Sequence, residues 1–157
     1  MRQVGADVAT NESMEKPAAA LNEMLRANVV SVKSRVYPPG IRQDSATPRI
    51  NIYPLTPSER RVGIGERYGS GMGKWLDSMF RVVISDRDPN QVDKIASEVD
   101  YAVWSHRNYV PTVSTYGYFL NMELKGGSAT ELNEGLQLYQ RVMNISAVWL
   151  SQTATTF

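Results

Sequence analysis

One stretch restricts the fold of this chain more than any other: DPNQVDKIASEVDYAVW, residues 88 to 104, with an alternating strand pattern before it and others after it. Val92, Ile95, Ala96, Val99, Ala102 and Val103 follow helical spacing and form one wide apolar stripe. A helix with such a stripe has to lie on something. Asp88 is suited to cap it, Pro89 fits its first position, and Gln91 is placed to complete a capping box. The helix is expected to end near Trp104, before SHRNYVP.

The surface to cover is supplied by strands. In LDSMFRVVISD, Phe80, Val82 and Ile84 alternate with Met79, Arg81, Val83 and Ser85. In LQLYQRVMNISAVWLS, Met143, Ile145, Ala147 and Trp149 alternate with Asn144, Ser146, Val148 and Leu150, which predicts a long strand with one buried face and one mixed face. RINIYPL and YFLNMELKGG read as further strands, the second stopped by paired glycines, while SATELNEG fits either a short helical turn or a loop. Pro17 opens a second helical pattern in which Leu21, Met24, Leu25 and Val29 share a side, and VVSVKSRVY after it reads as extended chain. The expected fold class is α+β, a mainly antiparallel sheet with helices packed on one face. A length of 157 residues makes one domain over residues 1–157. Residues 1–15 read as a flexible arm, and 56–75 as a long glycine-rich loop, a length that is uncommon unless the segment is functional or disordered. Both are expected to be mobile in a free subunit and to become ordered on assembly.

That loop invites a phosphate-binding reading, because GERYGSGMGKW holds four glycines and a lysine. The spacing rejects it. A phosphate loop needs GxxxxGK followed by Ser or Thr; Tyr68 stands where the first glycine belongs, and Trp75 where the hydroxyl belongs. A dinucleotide fingerprint fails similarly, since Gly63 and Gly65 are followed by Tyr68 in place of the third glycine. DRDPN does not continue as a calcium loop, which would require glycine where Gln91 stands and glutamate where Ser97 stands. His106 is the only histidine, there is no cysteine, and SHRNY at a helix end reads as a capping or solvated group. No catalytic residue, metal site or cofactor is expected, and the chain reads as a non-enzyme. A net charge of +1 gives no global field directed at nucleic acid, and no apolar run approaches a membrane span. What stands out is local. Arg60, Arg61, Arg67 and Lys74 share the glycine-rich loop, as a solvated flexible segment or as a surface facing a partner or a lumen. Gly63, Gly65, Gly69, Gly71 and Gly73 are its candidate hinge glycines. Tyr68, Trp75, Trp104, Tyr109, Tyr116 and Tyr118 would suit a subunit interface or the core.

The order of these pieces resembles that of the tail terminator (tail completion) proteins of long-tailed bacteriophages and related archaeal viruses. FRVVIS enters the turn DRDPNQ, the helix VDKIASEVDYAVW follows, and YFLNMEL and YQRVMNISAVWL close the sheet, over roughly residues 20 to 150. The likeness rests on element order and texture. It implies a structural virion protein, assembled in the host cytoplasm as a ring that is commonly hexameric. Such a ring ends tail-tube growth and joins the tail to the head's connector. The implied partners are copies of the chain, the tail tube protein and a head-side connector or stopper protein, with non-specific contact to DNA passing through the lumen and no membrane. The N-terminal arm and the segment from Thr56 to Trp75 depart from shorter family members. Two other readings fit the same features: another neck protein of the head-completion, stopper or connector kind, and a small ligand-binding α+β module whose glycine loop closes over an anion.

Overall fold

The computed structural model describes residues 16–37, 46–55, 58–60, 67–68, 71–112 and 117–152. The arm at 1–15 lies outside them. The fold is α+β. Helix α1 (16–28) is followed by a 3₁₀ turn (Val30–Val32), then β1 (Val36–Tyr37), β2 (Arg49–Pro54), β3 (Ser58–Arg60), β4 (Arg67–Tyr68) and β5 (Gly71–Asp86). The chain continues through α2 (Pro89–Ser105), β6 (Gly117–Gly127), β7 (Glu131–Asn133) and β8 (Leu138–Gln152). The sheet order is β1-β2-β5-β8-β6, with β3 and β4 on β5 and β7 on β8. β1 pairs parallel to β2, and the other described pairs are antiparallel.

α2 forms where its stripe requires. All six stripe residues are buried, each Val or Ile contributing about 1.5–3 kcal/mol of burial free energy. Asp88 accepts a hydrogen bond from the Asn90 N–H at 2.9 Å, which satisfies one of the helix's orphan donors. The Asp88 N–H meets Asp86 Oδ2 at 3.4 Å, the role the sequence offered to Gln91. At the other end His106 donates its backbone N–H to the Ala102 carbonyl at 3.0 Å, and its Nδ1 lies 3.0 Å from the same oxygen. A carbonyl only accepts, so Nδ1 carries the proton and the ring is a cap.

The inner face of the sheet and the two helices share one core. Ile50, Ile52, Phe80, Val82, Ile84, Ile145 and Phe119 lie in it with Leu21, Met24 and Leu25 of α1. Phe119 packs edge-on against both Phe80 and Trp149, at centroid distances of 6.2 Å and 4.9 Å. α1 is also pinned by polar groups: Asn22 Nδ2 and Arg26 Nη2 both donate to the Val36 carbonyl, at 3.1 and 2.7 Å. That covers the outer edge of β1, which would otherwise be free to pair with another chain.

Two expectations change. VVSVKSRVY is mostly a 3₁₀ turn, with Lys33 and Ser34 at φ of 52° and 67° and only Val36–Tyr37 extended. The cause is tertiary: the Ser31 N–H and hydroxyl both donate to the Glu98 carboxylate on α2. The segment expected as one long loop is partly strand. Ser58–Arg60 pairs with Trp75–Asp77, Arg67–Tyr68 pairs with Gly71–Met72, and β5 begins at Gly71.

β6 is irregular where it must be. Its register against β8 shifts between Leu120 and Glu123 and again between Leu124 and Gly127, with Asn121 at φ 52° in the first shift. At Gly127, φ is +158° and an added Cβ would lie 2.1 Å from the Val142 carbonyl oxygen; at Gly126, φ is +114° and the space is open. Gly126→Ala should therefore cost about 1–2 kcal/mol through backbone strain alone. Gly127→Ala should cost clearly more, about 3 kcal/mol or above, because strand backbone must also move. Thermal melts of the two variants check this, and equal losses would refute the close approach.

Candidate functional site

β5 has 16 residues, about 53 Å of strand, and it outruns its helical cover. Near the start of α1, Pro17 lies beside Pro54, Leu76 and Phe80, and β5 runs on beyond Leu76 to Gly71, with β8 paired to it as far as Gln152. The predicted cationic residues fall at this end. Arg60 in β3 is opposite Trp75, Lys74 in β5 is opposite Ser151, and Arg67 in β4 is opposite Met72. The register thus gathers three of the four cations along residues 72–75. Arg61 lies outside the described residues, as do Gly63, Gly65 and Gly69. Gly71 pairs with Tyr68 and Gly73 with Gln152, so both occupy strand positions. Because Tyr68 pairs with Gly71, only Gly69 and Ser70 separate the strands, a two-residue spacing with a glycine first that is itself a hairpin signal.

The sheet face opposite the helices is a second feature. β5 presents Met79 and Arg81, both exposed, with half-buried Asp77 and Val83; β8 adds half-buried Val142, Asn144, Ser146 and Val148. Near one end of this face, Arg49 and Asn51 are buried, with Arg49 Nε donating to Asn51 Oδ1 at 3.1 Å. Towards the other end lies a concavity of about 430 Å³, lined by Leu55, Met79 and Val148 together with Asp77, Glu123 and Lys125. Lys125 Nζ stands 2.7 Å from Glu123 Oε1, and this contact, with Arg107 adding from farther away, holds the Glu123 carboxyl below its usual range. Among the described residues the Asn144 side-chain oxygen is buried without a hydrogen-bond partner.

The third feature is on the far side of the helix layer. Tyr101 and Trp104, one turn apart on α2, are 72% and 67% exposed, and the Arg107 guanidinium lies 5.1 Å from the Trp104 ring centre. Of the other aromatics considered from sequence, Tyr109 packs against the core and Tyr118 is half-buried, while Tyr116 lies outside the described residues. The sequence signal for Tyr101 and Trp104 was their place outside the apolar stripe.

The remaining ionisable groups hold elements together. The Tyr109 hydroxyl donates to Glu23 Oε2 on α1, joined by the Thr112 N–H at 2.8 Å and the Thr112 hydroxyl at 3.2 Å. These donors, Tyr109 first, hold the Glu23 carboxyl below its usual range; burial, then the Glu23 carboxylate, push the Tyr109 phenol above its own. Asp93 likewise ties α2 to Thr130 and to Arg141, the latter at 3.3 Å. Among the described residues no group of three or more His, Cys, Asp or Glu could hold a metal ion, and no helix is long and apolar enough to cross a membrane.

No protein-family model matches the chain, and no curated protein does. Among solved structures, a chain from the virion of a native gene transfer agent particle is similar, with 16% identity and a TM-score of 0.49 over 86% of this chain and 92% of that one. A likeness at that level assigns no function.

The Glu23 cluster gives a signed pH dependence. A carboxyl held below its unfolded value contributes stability above that value, near pH ~4.3, and loses it as the pH falls through the lowered folded one. Glu23→Gln should cost about 1 kcal/mol at neutral pH, allowing for its partial exposure. Urea titrations should show that gap steady from pH 6 to 8 and closing below about pH 4; a gap that persists unchanged in acid would contradict the assignment.

Proposed function

We propose that the chain is a structural subunit of a long-tailed virus particle, forming a ring at the head-proximal end of the tail. In this reading the ring ends tail-tube growth and joins the tail to the head-side connector, without bond-making chemistry of its own. The observation that carries it is the assembly of one layered unit from the pieces that resemble tail terminators: FRVVIS in β5, the DRDPNQ turn, α2, YFLNMEL in β6 and YQRVMNISAVWL in β8. What further supports a building block is the distribution of its surfaces. An open sheet face, an aromatic helix face and a ribbon end outside the helical cover offer contacts in different directions.

A ring requires this arrangement. Closed cyclic assemblies other than twofold dimers use heterologous contacts, in which one patch meets a different patch of the next copy. The cations gathered by register at the ribbon end would suit a lumen through which DNA passes, as charges touching phosphates without reading sequence. The hydrophobic core and the cap-pinned α2 would keep each subunit rigid while those contacts form.

Two measurements test the proposal. Particles assembled without the protein should carry tails of abnormal length that fail to join heads; normal infectious particles would overturn the function. The purified protein, weighed alone and with tail tubes, should appear as a multi-copy ring at the tube end, with six copies as the expected number. Electron-microscopic density on the head side of the neck would reassign it to the stopper or connector.

A further inference from the structure

We propose that residues 107–112 form a removable strap over the outer edge of β6, latched by Glu23 of α1, which keeps that edge from pairing with a second copy of the chain. β6 is the terminal strand of the sheet order, so its outward N–H groups face no neighbouring strand. The strap receives them. The Phe119 N–H donates to the Tyr109 carbonyl and the Met122 N–H to the Arg107 carbonyl, both at 2.9 Å, while the Asn121 N–H donates to Asn108 Oδ1 at 3.0 Å. From 107 to 109 the partners run from 122 back to 119, the antiparallel sense.

The strap is only half a strand. Among the described residues none of its backbone N–H groups donates to a β6 carbonyl, so the ladder runs one way. The register shift at Asn121 also turns two consecutive N–H groups outward, and Asn108 supplies a side-chain oxygen for one of them. Asn108, Val110 and Thr112 are exposed, which leaves buried Pro111 and half-buried Tyr109 as its main apolar contacts. A segment with so few apolar contacts belongs to the low-stability end of a fold and opens before the strands beside it.

What holds the strap down lies on α1. Glu23 Oε2 alone accepts from the Tyr109 hydroxyl, from the Thr112 N–H at 2.8 Å and from the Thr112 hydroxyl at 3.2 Å. Hydrogen bonds to an ionised acceptor are roughly twice as strong as neutral ones, so this one carboxylate decides whether the strap stays shut. The same helix guards the opposite end of the sheet directly, with Asn22 and Arg26 on the Val36 carbonyl of β1. Only the β6 guard can lift while α1 stays in place. Lifted, it bares three donors along one edge, and in a solution of this protein the strand at hand is β6 of another copy. Two such edges can pair antiparallel about a twofold axis, whether or not the chain also forms a ring.

Native-state hydrogen exchange on the full chain at neutral pH, read amide by amide, tests the strap. In the wild-type protein Phe119, Asn121 and Met122 should exchange together, ahead of the β5 and β8 amides and with little dependence on added urea. Exchange of the three only at the rate and urea dependence of β5 and β8 would mean that they open with the whole fold, and would overturn the strap. Glu23→Ala should speed the three about fivefold or more. Tyr109→Phe, which keeps the ring and loses one donor, is the second variant if the first fails to fold. Unchanged rates in both would overturn the latch. Light scattering should then find the Glu23→Ala protein self-associating at about 25-fold lower concentration than wild type, because both partners must be open. At concentrations where it associates, its three amides should regain protection. Association that leaves them exchanging freely, or an open strap with no added association, would overturn the guard.

Discussion

The pairing of β5 with β8 is the constraint on which the rest of the structure depends. Fourteen consecutive residue pairs join them, from Gly73 opposite Gln152 to Asp86 opposite Tyr139. Every other described strand except β1 pairs directly with one of these two, and β1 reaches them through β2. A one-residue slip of β8 against β5 would turn every side chain of β8 to the opposite face. Ile145 and Trp149 would then leave the core, and α2 would be left facing Asn144, Ser146 and Val148 on that strand. The register is thus held by the difference between the two faces: one is apolar enough to require a helix, and the other is too mixed to take one.

The same difference explains how much could be read from sequence. α2, β5 and β8 were legible because periodicity is local: the stripe from Val92 to Val103 and the alternation from Met143 to Trp149 require no distant partner. The capping role of His106 was legible for a similar reason, since its acceptor Ala102 is one turn back in the same helix. Even the mixed character of the second sheet face was present in the pattern, as Asn144, Ser146 and Val148 between apolar neighbours.

What the pattern missed depends on contacts far apart in the chain. Val30–Val32 has the residues of a strand but turns, because Ser31 meets Glu98 sixty-seven positions away. Beta propensity is a weak preference, and a buried Val32 with a paired carboxylate overrides it. Arg49, the first residue of RINIYPL, is buried beside Asn51, which nothing in the local pattern signals. The hairpin at Tyr68–Gly71 is a different kind of miss. Its glycine-first, two-residue spacing lay in plain sequence, but the density of glycines drew the reading towards loop. In the candidate site, Arg60, Arg67 and Lys74 were legible as a group in sequence, whereas their gathering along residues 72–75 was not, because it needs the β3–β5 and β4–β5 registers.

The exposed aromatics on α2 pose the sharpest physical question about the molecule. A helix stabilised only by its stripe has no use for Trp104 or Tyr101 on its outer side, where polar residues with better helix propensity would keep the surface soluble. Each costs solubility and adds nothing to the core, and Arg107 over the indole offsets only part of that exposure. The open sheet face has the opposite defect: Met79 and Val148 line a hollow that the chain's own helices, both committed to the other face, do not cover.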